Sequence, residues 1–189
     1  MVETATKLPI KTEGKPPAVA PAAAPWRPFE DLRREVDRLF EDFGRGWPGI
    51  RPMNHGGSLA LPFGRVTMTI AFHTSAFEDG TYGGQPGGFI VETGGKTIYH
   101  AGDTALFGDM KLLGELFNID LACLPIGDCF TMGPAMAVKA AQFLRAKKVL
   151  PIHYNTFPPI QQDAGKFAAE LKAVGIEGLV MKAGESVDL

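Results

Sequence analysis

Histidine, cysteine and any basic excess are scarce in this chain. Only 4 histidines occur among 189 residues, so each can be weighed singly. Lys and Arg number 19 against 21 Asp and Glu, a formal net charge of −2. That balance lacks the one-sided basic footprint of a nucleic-acid binder. The 2 cysteines, Cys123 and Cys129, sit at a spacing that fits neither CxxC nor the usual zinc-finger pairs. They read as small, partly buried thiols in a reducing cytosol. No apolar run approaches the roughly 20 residues that span a bilayer. The first residues also lack the apolar stretch of a signal peptide, so the expected location is cytoplasmic.

What is present is a chain of ordinary globular composition, 45% hydrophobic with mean hydropathy near zero. Its character shifts along its length. Residues 1–27 contain KPPAVAPAAAP, with nothing large to bury, and read as a disordered or polyproline-like tail. In residues 28–46, Phe29, Leu32, Val36, Leu39, Phe40 and Phe43 fall on one helical stripe. Pro28 suits the first helical position and Gly44 or Gly46 the C-terminal cap, so an amphipathic helix is expected. Its apolar stripe needs a partner, which raises the prospect of a homo-oligomer. Residues 47–57 are a Gly- and Pro-rich linker.

Residues 58–189 mix strands with helices, which excludes an all-α or all-β protein and makes the fold class α+β. Strands are expected at 59–61, 65–72, 89–92, 97–100, 121–125, 149–152, 178–182 and 186–189. Helices are expected at 105–117, 134–147 and 164–174.

Three segments put a metal-ligand residue type at the end of an apolar strand. TMTIAFHTS ends on His73, KTIYHAGDTALF carries Asp103 in a Gly-Asp-Thr turn, and KKVLPIHYNTFP carries His153. Two imidazoles and a carboxylate suit zinc, with manganese and iron(II) as alternatives. Taken singly, each is more often a hydrogen-bonded strand-end or turn residue than a ligand. His100 reads as packed or supporting and His55 as a loop residue. Asp128 could hold a ligand histidine or water, or simply make a turn. Thr131 and the helix start at Pro134 offer backbone N–H groups to an anion.

GGKTIYHAGDTALFGDMKLLGELFNIDLACLPIGDCFTMGP, followed by KKVLPIHYNTFPPIQQD, resembles a family of metal-dependent hydrolases in the metallo-β-lactamase superfamily. The branch is similar to ascorbate-6-phosphate lactonase and N-acyl-phosphatidylethanolamine phospholipase D. The resemblance runs from about residue 53 to the end and implies part of a four-layer αββα sandwich, its C-terminal half. It implies that His73 ligates one metal, Asp103 bridges two and His153 ligates the second. A metal-activated hydroxide would then attack an ester, lactone or phosphodiester of a small-molecule substrate, making Asp103 and His153 catalytic and leaving Asp128, Thr131 and His100 in support. The HxHxDH segment of such proteins does not occur in these 189 residues, which implies an impaired site. WRPFEDLRREVDRLFEDF in turn resembles the N-terminal arm of a bacterial small heat-shock protein. Hence the chain reads as a fusion of that arm with a truncated hydrolase. Its alternative function is a non-enzymatic, oligomerising module driven by the 28–46 helix.

Overall fold

Strand β1 (Ser58–Leu61) and strand β2 (Gly64–Ile70) form a hairpin in the computed structural model, which describes residues 53–189. The expected tail, the 28–46 helix and the linker up to residue 52 lie outside the described residues. Strands β3 (Gly87–Thr93) and β4 (Lys96–His100) form a second hairpin across the Gly94–Gly95 turn. Helix α1 (Met110–Leu116), β5 (Leu121–Pro125), α2 (Pro134–Leu144), β6 (Lys148–Ile152), α3 (Ala164–Ala173) and β7 (Glu177–Gly178) follow.

The strands form one seven-stranded sheet in chain order. Pairing is antiparallel from β1 to β4 and parallel from β4 to β7. Each parallel step needs a crossover, and the helices supply it. The result is a mixed sheet with few helices, as the α+β class requires.

Alternation along the strands sorts the sheet into two faces. Ile90, Tyr99, Ala122 and Val149 share one register row and are all fully buried. They pack with Met110, Ala137, Ala140, Leu144, Phe167 and Leu171 from the helices. The buried residues of α2 recur at Ala137, Ala140, Ala141 and Leu144, the three- and four-residue spacing of a helix stripe. Burying a side chain such as Phe167 or Leu144 contributes about 2–3 kcal/mol. The opposite row runs Met68, Phe89, His100, Cys123, Leu150. On it Phe89 and His100 are exposed.

Three expected elements differ most. The helix expected at 105–117 starts only at Met110, because residues 104 and 105 are drawn into hydrogen bonds with neighbouring loops. The strands expected at 178–182 and 186–189 reduce to β7 and one further bond, Leu179 N–H to Val149 O. Residues 181–189 form no strand and are mostly exposed. An edge strand lasts only as long as its partner offers free backbone groups, and β6 meets β7 at just Lys148 and Val149.

Candidate metal centre

The topology sends four chain segments to one sheet edge. Strand β2 runs antiparallel to β3, and β3 antiparallel to β4, so β2 and β4 point the same way. Strands β5 and β6 run parallel to β4. All four therefore end at the same edge, where sites in such sheets are commonly built. His73, Asp103 and Asp128 each lie three residues beyond the end of their strand, and His153 directly follows β6.

Thr104 clasps these loops together. It is fully buried, and its Oγ1 accepts the Phe72 N–H at 2.9 Å and donates to Ala105 O at 2.9 Å. Ala105 N–H returns to Phe72 O at 3.1 Å, and Met132 N–H reaches Thr104 O at 3.1 Å. The residue before His73 is thereby held against the residue after Asp103. Thr104 did not stand out in the sequence as a functional residue; its only signal is its place in Gly-Asp-Thr.

The Asp103 turn has its own supports. Gly102 is in the left-handed region at φ 65, and a Cβ there would come 2.6 Å from Gly87 O, so only glycine fits. Its N–H donates to His100 Nδ1 at 3.1 Å. His100 thus supports the turn through the nitrogen that would otherwise carry a free lone pair.

His153 Nε2 lies 3.6 Å from Asp103 Oδ2. That is too long for a hydrogen bond. It is close to the separation of about 3.4 Å between two donors that share one tetrahedral ion at about 2.1 Å each. His153 is itself a left-handed residue at φ 52, and its Nδ1 is buried without a hydrogen-bond partner. Gly127 makes room for it: a Cβ there would collide with His153 O and lie 3.2 Å from Nδ1. The loop after His153 is pinned by Asn155, whose Nδ2 donates to Gln162 O at 3.0 Å and whose Oδ1 accepts Gln162 N–H at 2.7 Å.

His73 is exposed, and its Nδ1 is 2.8 Å from Thr74 O. A carbonyl can only accept, so Nδ1 carries the proton and Nε2 keeps the lone pair that a cation would use. Its ring is not part of the Asp103–His153 pair. Among the described residues, no three His, Cys, Asp or Glu side chains close on one point. Asp103 and His153 are two donors of the types a divalent cation takes, and the residue before His73 is tied to the Asp103 turn through the backbone.

Asp128 is exposed and left-handed at φ 60, and its carbonyl accepts the N–H groups of Phe130 and Thr131. It turns the chain at the start of the 128–133 loop, and Gly133 lies beside its carboxylate. Thr131 Oγ1 reaches only Met132 O, at 3.5 Å. Of the cysteines, Cys123 is buried as expected, but Cys129 is exposed because it continues the left-handed turn at φ 50. His55, as expected a loop residue, contacts Pro86 O at 2.9 Å.

The described residues thus form a mixed sheet with helices packed on one face and a His–Asp pair at the edge where its parallel strands end. The beta-lactamase superfamily domain matches residues 7–154, and the chain belongs to that family. It is 58% identical over 138 residues to a UPF0173 metal-dependent hydrolase of Thermus thermophilus, covering 73% of this chain and 61% of that protein. It is 55% identical over 151 residues to the UPF0173 metal-dependent hydrolase YtkL of Bacillus subtilis, covering 76% of this chain and 66% of that protein. The chain thus spans less than two thirds of the length of these curated relatives. Among solved structures it is similar to Igni18, a metallo hydrolase from Ignicoccus hospitalis, with TM-score 0.68 and 36% identity over 84% of this chain and 71% of that one. The resemblance of the 28–46 segment to a heat-shock arm falls outside the described residues and gains no support from these relatives.

Proposed function

We propose that the chain binds a divalent metal through Asp103 and His153, with His73 as a further donor, and acts as a metal-dependent hydrolase. The observation that carries this reading is the 3.6 Å approach of His153 Nε2 to Asp103 Oδ2 at the edge where four strands end. Its relatives' names support the same class. Zinc suits two imidazoles and a carboxylate best, and manganese or iron(II) would accept the same set. When bound, the ion supplies Lewis acidity toward an ester, lactone or phosphodiester.

The chain's own residues hold that arrangement. Thr104 and His100 fix the Asp103 turn, Gly127 lets His153 approach, and Asp128 turns the chain at the start of the 128–133 loop. No HxHxDH run adds donors, so we expect weaker binding than at a four-ligand zinc site and correspondingly impaired turnover.

Elemental analysis of the purified chain after zinc loading and desalting tests this reading. We expect about one ion per chain, with apparent affinity falling at least about tenfold in Asp103→Asn and in His153→Ala. Equal, near-zero metal in the wild-type chain and in the His73→Ala, Asp103→Ala double variant would overturn it.

A further inference from the structure

His153 lacks the support that a ligand histidine ordinarily has. Such a ring usually donates its second N–H to an acceptor, which fixes its orientation. His153 Nδ1 is buried and meets no hydrogen-bond partner. The ring must therefore be held by what packs against it. Gly127 is that surface: it is buried, and a Cβ at this position would lie 3.2 Å from His153 Nδ1. The same Cβ would come 3.0 Å from the Cβ of Ile160, which is fully buried. Gly127 thus packs against both ends of one loop, residues 153–162.

Gly127 is fixed in turn by a side chain from far along the sequence. Gln162 Nε2 donates to Gly127 O at 3.3 Å, across 35 positions. A carbonyl only accepts, so the amide nitrogen of Gln162 is the atom that faces it. Gln162 is itself anchored on both sides. Its backbone N–H donates to Asn155 Oδ1 and its carbonyl accepts from Asn155 Nδ2, while the Asn155 N–H donates to Ile160 O at 2.9 Å. Directly after it, Asp163 caps α3, whose Phe167 and Leu171 lie in the core. His153 and Asn155 keep left-handed backbones, at φ 52 and 60, inside the loop that these bonds close. Such backbones persist only where the surroundings hold them, and they concentrate at binding and catalytic sites. One line of contacts therefore runs from a packed helix through Gln162 and Gly127 to the His153 ring.

We propose that Gln162 is a positioning residue for His153: its side-chain amide holds the Gly127 carbonyl, which keeps Gly127 against the imidazole and Nε2 toward Asp103. The effect of Gln162 on a bound ion rests on the metal reading above, whereas its hold on the ring does not. A site whose supporting residues leave its donors loose by about 1 Å loses function, so such a hold matters even though Gln162 touches neither Asp103 nor an ion.

The test uses NMR of the full chain, metal-free and then titrated with zinc. In the metal-free wild-type chain we expect magnetisation transfer from the Gln162 side-chain amide protons to Gly127, and from the Gly127 α-protons to the His153 ring. Gln162→Met keeps the length of the side chain and removes the donor. It should weaken the Gly127–His153 transfer and shift the His153 ring signals, while the Leu171 methyl signals of the core stay in place. Gln161→Met, at the exposed neighbouring position, should change none of these. Zinc affinity should fall at least about tenfold in Gln162→Met and hold in Gln161→Met. A wild-type chain that shows both transfers and takes up no zinc would support the positioning and sink the metal reading alone. Shifted ring signals in Gln162→Met with zinc affinity unchanged would overturn its role at the ion. His153 signals and contacts identical in Gln162→Met and the wild type would overturn the proposal outright. So would the absence of either transfer in the wild-type chain, a reading that needs no variant and survives a Gln162→Met chain that fails to fold.

Discussion

At the scale of single residues, environment divides chemically identical groups. Cys123 sits within β5, and burial pushes its thiol up to about 11. Cys129 lies six positions further on in an exposed left-handed turn. Only a thiolate reacts readily, so the two should behave differently toward a thiol reagent near neutral pH. We expect one thiol to be modified rapidly in the native chain and the second only after unfolding. Two thiols modified at one rate under native conditions would contradict the assignment. The histidines divide in the same way. His73, Asp103 and His153 were legible as candidates because strand-end position and residue type can be read directly. His100 was legible too, as a supporting residue, but the support from Thr104 and Gly127 was not. It depends on contacts with Phe72 and His153, 32 and 26 positions away, which have no local signature.

At the scale of elements, caps and crossovers decide where each segment begins. Helix α3 starts where Asp163 accepts the Lys166 N–H at 2.9 Å through its side chain. Such an N-terminal cap contributes about 1 kcal/mol. Asp163→Ala should lower the urea midpoint by a corresponding amount, and Asp163→Asn should restore most of the loss, because asparagine caps equally well. An Asp163→Ala variant as stable as the wild type would show that packing of Phe167 and Leu171 alone places this helix. Strand β5, helix α3 and the two hairpins were readable from periodicity and turn residues. The late start of α1 was not. Apolar spacing continues through residues 105–109, but the backbone groups of Thr104 and Ala105 are already bonded to Met132 in the 128–133 loop and to Phe72 in the loop after β2.

At the scale of the whole molecule, a few long-range clips hold the parallel part of the sheet to the antiparallel part. Asp120 is one. Its Oδ2 accepts the Thr97 N–H at 2.9 Å, and its Oδ1 accepts Lys147 Nζ at 2.8 Å. It thereby joins β4, the start of β5 and the segment after α2. The Lys147 hydrogen bond, and then the Thr97 N–H, hold its carboxyl below the ordinary value. A depressed carboxyl stabilises the fold above its unfolded pKa, about 4, and loses that contribution as pH falls through the lower folded value. Asp120→Asn should therefore lower Tm at pH 7, and the gap to the wild type should narrow below about pH 4. A gap of constant size from pH 7 to pH 3 would remove the ionic argument. Among the described residues no helix is long and apolar enough to cross a membrane, as the composition led us to expect.

Composition, periodicity and turn residues by themselves determined the α+β class, most strand and helix positions, and the three residue types offered at strand ends. These are local properties, carried by alternation of two, spacing of three or four, and glycine or proline at turns. The tertiary structure alone decided that the four strands end at a common edge and that His153 meets Asp103 while His73 stands outside the pair. It also decided that the Phe130 and Phe157 rings come together, their centroids 5.9 Å apart. Strand direction and register are set by pairing between distant segments, and that pairing depends on which faces the helices bury. No short stretch of sequence contains that information.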